Sequence, residues 1–411
     1  MVKTFKVPWA AWREPKYLEL QFPESWNVSV CKMNCADDPE LSEEQIRDRI
    51  LNPIGTPRLS ELGKGKNSVV ICVDDMTRIT PVSKIMPFIF EELEEAKITR
   101  DQITILLAIG GHRPMNRHDC ILKLGKDIVD TINIENHHPY ENLTHFGESS
   151  IGTPIDVNTT YCNADLRIAI GGVIPHPLAG FGGGAKIVLP GVCGIRTLEG
   201  NHSAGMKGVG TGIGIMTDIR KDIEEIADKV GLDFSINAIL SEIGNIVGLT
   251  SGHFRDAHRK AMELAKNAYA TKVTHDNNIC FLNLFPEDSE LNQSLKGFNI
   301  FYTAPENMLS KDSSVVLMSS SYEGRGYHSL ISETGAKLFR RVKGGSGWKR
   351  LTRKSRVYFY SPNVSESDLY HFFPESVKLF SNWNNLIEEL NNIYGDSPNA
   401  SIIPCSSQLA E

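Results

Sequence analysis

The sequence predicts an α/β protein made of two α/β domains, each with a mostly parallel sheet covered by helices, and an active site in the cleft between them. Two observations predict this. Short, continuously apolar runs alternate with stretches of helical apolar spacing, as expected of parallel strands buried on both faces by crossover helices. The series also begins twice, first at "SVVICVDD" and again near Asn277. A chain of 411 residues exceeds what one core usually organises. The expected domains are 1–272 and 273–411, with the closing residues open to either.

In chain order, "SVVICVDD" is the first strand, and Pro81 opens a helix from Val82 to about Lys97, since proline is tolerated at a helix start. "ITILLAIGG" is the second strand, followed by a polar helical segment from about Arg117. "LRIAIGGVI" is the third and runs into a glycine-crowded loop, "GGVIPHPLAGFGGGAKIVLPG". "IGIMTDIRKDIEEIADKVG" has helical spacing and stops at glycine. "LDFSINAILSEIGNIVGLTSG" reads as paired strands, and "HFRDAHRKAMELAKNAYATK" as a helix. In the second series, "NICFLNL", "SSVVLMSSS" and "SRVYFYS" are strands with helices between them, and "ASIIPC" is a short closing strand.

Composition excludes several classes. The chain is 41% hydrophobic and 23% charged, with net charge −7, which argues against a general nucleic-acid or acidic-membrane binder. No apolar run approaches the roughly 20 residues that span a bilayer. The N-terminus "MVKTFKVPWAAWREPK" has no long apolar core and reads as mature structure. The eight cysteines are scattered, Cys31 and Cys35 being the closest pair, so reduced thiols and a cytoplasmic location are expected.

In open α/β sheets ligands bind beyond the carboxyl ends of the strands. The first three strands end in Asp74, Asp75, Thr77 and Arg78; in His112 and Arg113; and in His176 and Lys186, with His202 shortly after. The glycine–lysine run is not a P-loop, because Ala185-Lys186-Ile187 stands where Gly-Lys-Ser/Thr is needed. Two histidines beside one substrate suit a paired acid/base on the two faces of a prochiral carbon, the logic of a racemase or epimerase. A third histidine with a lysine beside glycines suits a metal or cofactor site.

These segments resemble the lactate racemase family, enzymes with a nickel-pincer nucleotide cofactor. "LNPIGTPRLSEL", "DDMTRITP" and "GGHRP" resemble its early motifs, and "PHPLAGFGGGAKIVLPG" with "NHS" resembles its cofactor segment. The resemblance implies a nickel pyridinium-3-thioamide-5-thiocarboxylic acid mononucleotide held covalently by Lys186, with His202 as a nickel ligand. It implies that Gly182, Gly183 and Gly184 let backbone N–H groups approach the nucleotide phosphate. Asp75 and Thr77 would lie beside the cofactor, and Arg78 beside cofactor or substrate. His112 and His176 match the acid/base pair. In "LNQSLKG", Gln293 and Lys296 match positions at the substrate, as does Trp348. The implied partners are a 2-hydroxy acid and the proteins that make the cofactor.

Two positions depart from the family pattern. Leu178 stands where an aromatic follows the second histidine, and Asn292 where a tyrosine precedes the glutamine. Both touch the implied pocket wall and point to a substrate larger or more polar than lactate. A sugar-acid 2-epimerase of the same chemistry and a non-catalytic carrier of the nickel cofactor are the alternatives.

Overall fold

The computed structural model describes residues 2–206, 216–330 and 355–411. It divides into two compact units: residues 37–268, and a second made from both chain ends, 1–36 with 269–411.

The 37–268 unit is built on a six-stranded sheet. Its centre is Val69–Asp74, flanked in parallel by Ile103–Ala108 on one side and Leu166–Gly172 on the other. Asn133–Asn136 extends the first side and Phe234–Leu240 the second, both in parallel. Ile246–Gly252 closes the second side as an antiparallel hairpin partner. All six residues of Val69–Asp74 are buried, as a central parallel strand requires. The helix Val82–Glu95 follows Pro81 and buries Val82, Ile85, Met86, Ile89 and Leu93, the i, i+3, i+4, i+7 pattern of a core-facing stripe. The polar helix is shorter than a single segment: Arg117–Leu124, capped by Asn116, stops at Gly125, whose φ of 91° favours glycine. Asp218–Val230 starts on the Thr217 cap and ends at Gly231. Asp256–Tyr269 is the last helix of the unit.

The second unit also has a six-stranded sheet, parallel throughout: Lys378–Phe380, Ser355–Tyr360, Leu309–Met318, Asn277–Asn283, Asn399–Ile403 and Asn27–Val30, in that order. Successive residues face opposite sides, so Ile279 and Phe281 enter one core while Cys280 and Leu282 enter the other. The first 36 residues therefore differ from their expected place in the first domain. Asn27–Val30 pairs with Asn399–Ile403, and the preceding hairpin, Val2–Pro8 with Tyr17–Pro23, carries Phe22 onto Phe281 and Trp383. The closing strand stays in this unit. Among the described residues no helix is long and apolar enough to cross a membrane.

Candidate active site

After Val69–Asp74 the chain builds outward on one side of its sheet; after Leu166–Gly172 it builds on the other. These neighbours therefore flank a topological switch point, where open α/β sheets bind ligands. Two of the predicted strand ends touch here through Asp75 and His112, and His202 lies close enough to His112 and Lys186 to feel both charges.

Asp74 ties the two strand ends together. Its Oδ2 accepts from Gly172 N (3.0 Å) and from Thr80 Oγ1 (2.6 Å), while the Lys123 ammonium lies 2.6 Å from Oδ1. Lys123 is fully buried and also donates to the carbonyls of Asp75 and Arg78, each at 2.8 Å, which pins both ends of the turn. Burial lowers its pKa against the pull of Asp74. Sequence reading missed Lys123. The available signal was its phase: it shares the buried side of its short helix with Cys120 and Leu124.

Asp75 binds His112 rather than presenting itself to a ligand. Its Oδ2 lies 2.7 Å from His112 Nδ1, and its Oδ1 accepts from Thr77 N (2.7 Å) and Oγ1 (2.6 Å). Burial alone would raise its pKa, but His112, Arg78 and the Thr77 hydroxyl hold it well below the usual carboxylate range. A carboxylate accepts, so Nδ1 of His112 carries the proton and Nε2 is the basic nitrogen. Arg78 donates to Thr77 O (2.9 Å) and Oγ1 (3.0 Å).

His176 has the opposite tautomer. It lies in a two-residue strand paired with Gly180–Phe181, and its Nδ1 accepts the N–H groups of Leu178 (3.2 Å) and Ala179 (3.1 Å). Nδ1 is therefore bare and Nε2 holds the proton.

The glycines answer to packing. A Cβ on Gly182 would stand 2.8 Å from Gly172 O, on Gly183 2.8 Å from a Val173 methyl, and on Gly184 2.8 Å from His258 Cγ. Gly182 N donates to Ile174 O (2.7 Å) and Gly184 N to Asn237 Oδ1 (2.9 Å). Packing alone thus accounts for these glycines: the end of the Leu166–Gly172 strand and the Asp256–Tyr269 helix approach too closely for side chains, and the N–H groups of Gly182 and Gly184 have protein acceptors.

Lys186 follows on the tight turn Gly184–Ile187. His202 lies on the helix Ile195–Met206 and donates Nδ1–H to Leu198 O at 2.7 Å. Its pKa falls to about 4, chiefly through burial, with the charges of Lys186 and His112 adding to the effect. It is thus a neutral imidazole with Nε2 as its donor atom, and close enough to Lys186 and His112 to feel both.

Asn292, Gln293 and Lys296 belong to the other unit, on the 3₁₀ segment Leu291–Tyr302. Lys296 pairs with Glu287 at 2.6 Å, and Gln293 donates to Glu290 at 3.1 Å. Asn292 is 6% exposed, yet neither its Oδ1 nor its Nδ2 has a partner among the described residues. Leu178 is half-buried, and Thr217 Oγ1 donates to its carbonyl at 2.7 Å. Trp348 lies outside the described residues.

Residues 14–214 match the family model described as the lactate racemase N-terminal domain. A lactate racemase of Lactiplantibacillus plantarum is 30% identical over 311 residues, covering 73% of this chain and 72% of that protein. A lactate racemase of Thermoanaerobacterium thermosaccharolyticum is 30% identical over 305 residues, covering 72% and 70%. In fold, the lactate racemase apoprotein from the latter organism superposes with a TM-score of 0.77 at 22% identity, over 100% of both chains. A Thermotoga maritima crystal structure gives 0.66 at 18%, over 91% of this chain and 99% of that one. Switch point, paired histidines, lysine turn and sequence relatives converge: the chain belongs to the lactate racemase family.

Proposed function

We propose that this chain is a racemase or epimerase inverting C2 of a 2-hydroxy acid, and that it works with a nickel-pincer nucleotide held by Lys186 and His202. The reading rests on His112, held by Asp75 at one strand end of the switch point, and His176, which follows the neighbouring strand Leu166–Gly172, the two fixed in opposite tautomers.

The residues fit the cofactor. His202 is neutral and directs its second nitrogen away from the Leu198 hydrogen bond, as a metal-binding imidazole does. Among the described residues no three His, Cys, Asp or Glu side chains are grouped to hold a metal, so His202 would be one ligand beside donors brought by the nucleotide. When bound, the cofactor supplies an acceptor for the α-hydrogen as hydride, with a 2-keto acid as the flat form of the substrate.

The chain supplies the proton chemistry. His112 Nε2 takes the hydroxyl proton, and Asp75 stabilises the resulting imidazolium through Nδ1–H. The Lys123–Asp74 pair and the Thr77 bonds hold that carboxylate in place beforehand. On the opposite face of the substrate His176 presents its Nε2–H to the same oxygen as a hydrogen-bond donor, because its Nδ1 is already taken by the Leu178 and Ala179 N–H groups. Arg78, beside Thr77 at the same strand end, offers a charged donor for the substrate carboxylate.

Asn292 supports a substrate with a further polar group, such as a sugar acid or a dicarboxylate. A buried amide without a partner costs about 1–3 kcal/mol, which a ligand hydroxyl or carboxylate would recover. An apolar tail would leave that cost in place.

Cofactor loading is the test. Protein produced together with cofactor-synthesis enzymes should carry about one nickel ion per chain, with a mass adduct on Lys186 that Lys186→Ala removes. His202→Ala should lose nickel while keeping the adduct. An active enzyme without nickel would refute the cofactor assignment.

A further inference from the structure

Beneath the glycine segment lie two side chains with no assigned role. Arg220, near the start of the Asp218–Val230 helix, is 1% exposed. A buried guanidinium persists only when its donors are satisfied, and those of Arg220 go to main-chain carbonyls. Nε donates to Ala179 O (3.2 Å), Nη2 to Phe181 O and Nη1 to Gly183 O (3.4 Å). Burial lowers its pKa to about 10, so it stays charged near neutrality.

His258, on the Asp256–Tyr269 helix, is equally buried, with Nε2 2.7 Å from Gly182 O. The carbonyl can only accept, so Nε2 carries the proton. Burial and the Arg220 charge push its pKa well below the ordinary value, and the ring is neutral. The same ring stands where a Gly184 side chain would be. Thr217 adds a third bond, to Leu178 O at 2.7 Å, while capping the helix through Arg220 N at 3.1 Å. The carbonyls of Leu178, Ala179, Phe181, Gly182 and Gly183 are thus held by three side chains of two helices. His176 stands at one end of this held segment and Lys186 just past the other.

We propose that Arg220 and His258 are positioning residues: they grip the glycine segment by its carbonyls and fix where His176 and Lys186 are presented. Neither touches reacting atoms. The consequence for turnover rests on the racemase reading; the grip itself does not.

Amide hydrogen exchange on the purified chain reads the grip without any bound group. Arg220→Met and His258→Phe should each speed exchange across residues 178–187 by about tenfold or more, and leave Ile103–Ala108 at its native rate. His258→Gln, with an N–H able to reach Gly182 O, should restore most of the protection. In loaded enzyme the Met and Phe variants should lower kcat at nearly unchanged KM, with His258→Gln again recovering activity. Native exchange across 178–187 in the folded variants would overturn the proposal, as would equal acceleration in Ile103–Ala108, the mark of general loosening. Faster exchange in 178–187 together with undiminished kcat would confine the grip to stability and overturn its role in turnover.

Discussion

Both units have a six-stranded sheet with a switch point, and they treat the buried polar groups there differently. In the 37–268 unit, the carboxylates at the strand ends meet charged partners: Asp74 faces Lys123 and Asp75 faces His112. In the other unit the chain builds outward from Asn277–Asn283 on one side, and Asn399–Ile403 returns to its other side, next to Asn27–Val30 from the N-terminus. Beyond them Asp288 is fully buried and accepts the N–H groups of Ala10 (2.8 Å) and Ala11 (3.1 Å), while Asn292 and Ser294 keep polar atoms without partners among the described residues. The first site is organised before anything binds. In the second, the buried polar atoms of Asn292 and Ser294 have no protein partner among the described residues. A reaction centre that moves protons needs fixed geometry, because misplaced groups slow the chemistry steeply.

The comparison breaks most sharply at His112. His112→Ala should reduce turnover by roughly 10²–10⁴-fold, the usual range for a lost acid/base group, with nickel content and thermal midpoint near native. Steady-state rates beside nickel analysis check this. Loss of nickel with intact residual chemistry would move His112 out of the proton-transfer role.

Asp288 sharpens it next. Burial raises its pKa from 3.8 to about 6. The native state thus holds its proton more tightly than the unfolded chain, so its contribution to stability is fully present below about pH 4 and fades as pH rises through about 6. At pH 7 the loss amounts to about 3 kcal/mol. All five tryptophans lie in 1–36 and 269–411, so tryptophan fluorescence in urea reports this unit. Relative to Asp288→Asn, the native chain should lose about 2 kcal/mol of advantage between pH 4 and pH 7. A pH-independent difference would show that another cation or proton donor compensates Asp288.

Asn292 should give the smallest effect. Asn292→Leu removes a buried amide without a partner and should leave the unit as stable as before or up to about 2 kcal/mol more stable. The same change should lower kcat/KM for malate or gluconate more than for lactate. If stability falls instead, Asn292 has a structural partner and is not a ligand group.

Much of this architecture could be read from local sequence. "VVICVD", "ITILLA" and "LRIAIGG" are strands because a parallel strand buried on both faces must be apolar throughout. The histidines and lysine were legible because ligand sites follow strand ends. The hairpin Leu143–Glu148 with Pro154–Asn158 was not, since its first strand is mostly exposed and neither strand has an apolar run. The place of residues 27–30 was hidden for another reason: their partners are some 370 positions away, and no local pattern encodes a parallel pairing at that range. The glycines were conspicuous, but their cause was not. What approaches them is Gly172 O, Val173 and His258, two of these from neighbouring turns of chain and the third from a helix 74 residues beyond Gly184. Lys123, Arg220 and His258 look like surface residues in a helix, and only their burial reveals them.

The most direct test of the central claim is to give cofactor-loaded enzyme a single enantiomer of a 2-hydroxy acid deuterated at the α-carbon, then separate the products by chirality and weigh them. The account predicts both configurations at C2, with deuterium largely retained because the hydrogen moves as hydride and never meets solvent. Products that have exchanged deuterium for solvent hydrogen, or an unchanged starting enantiomer, would contradict it.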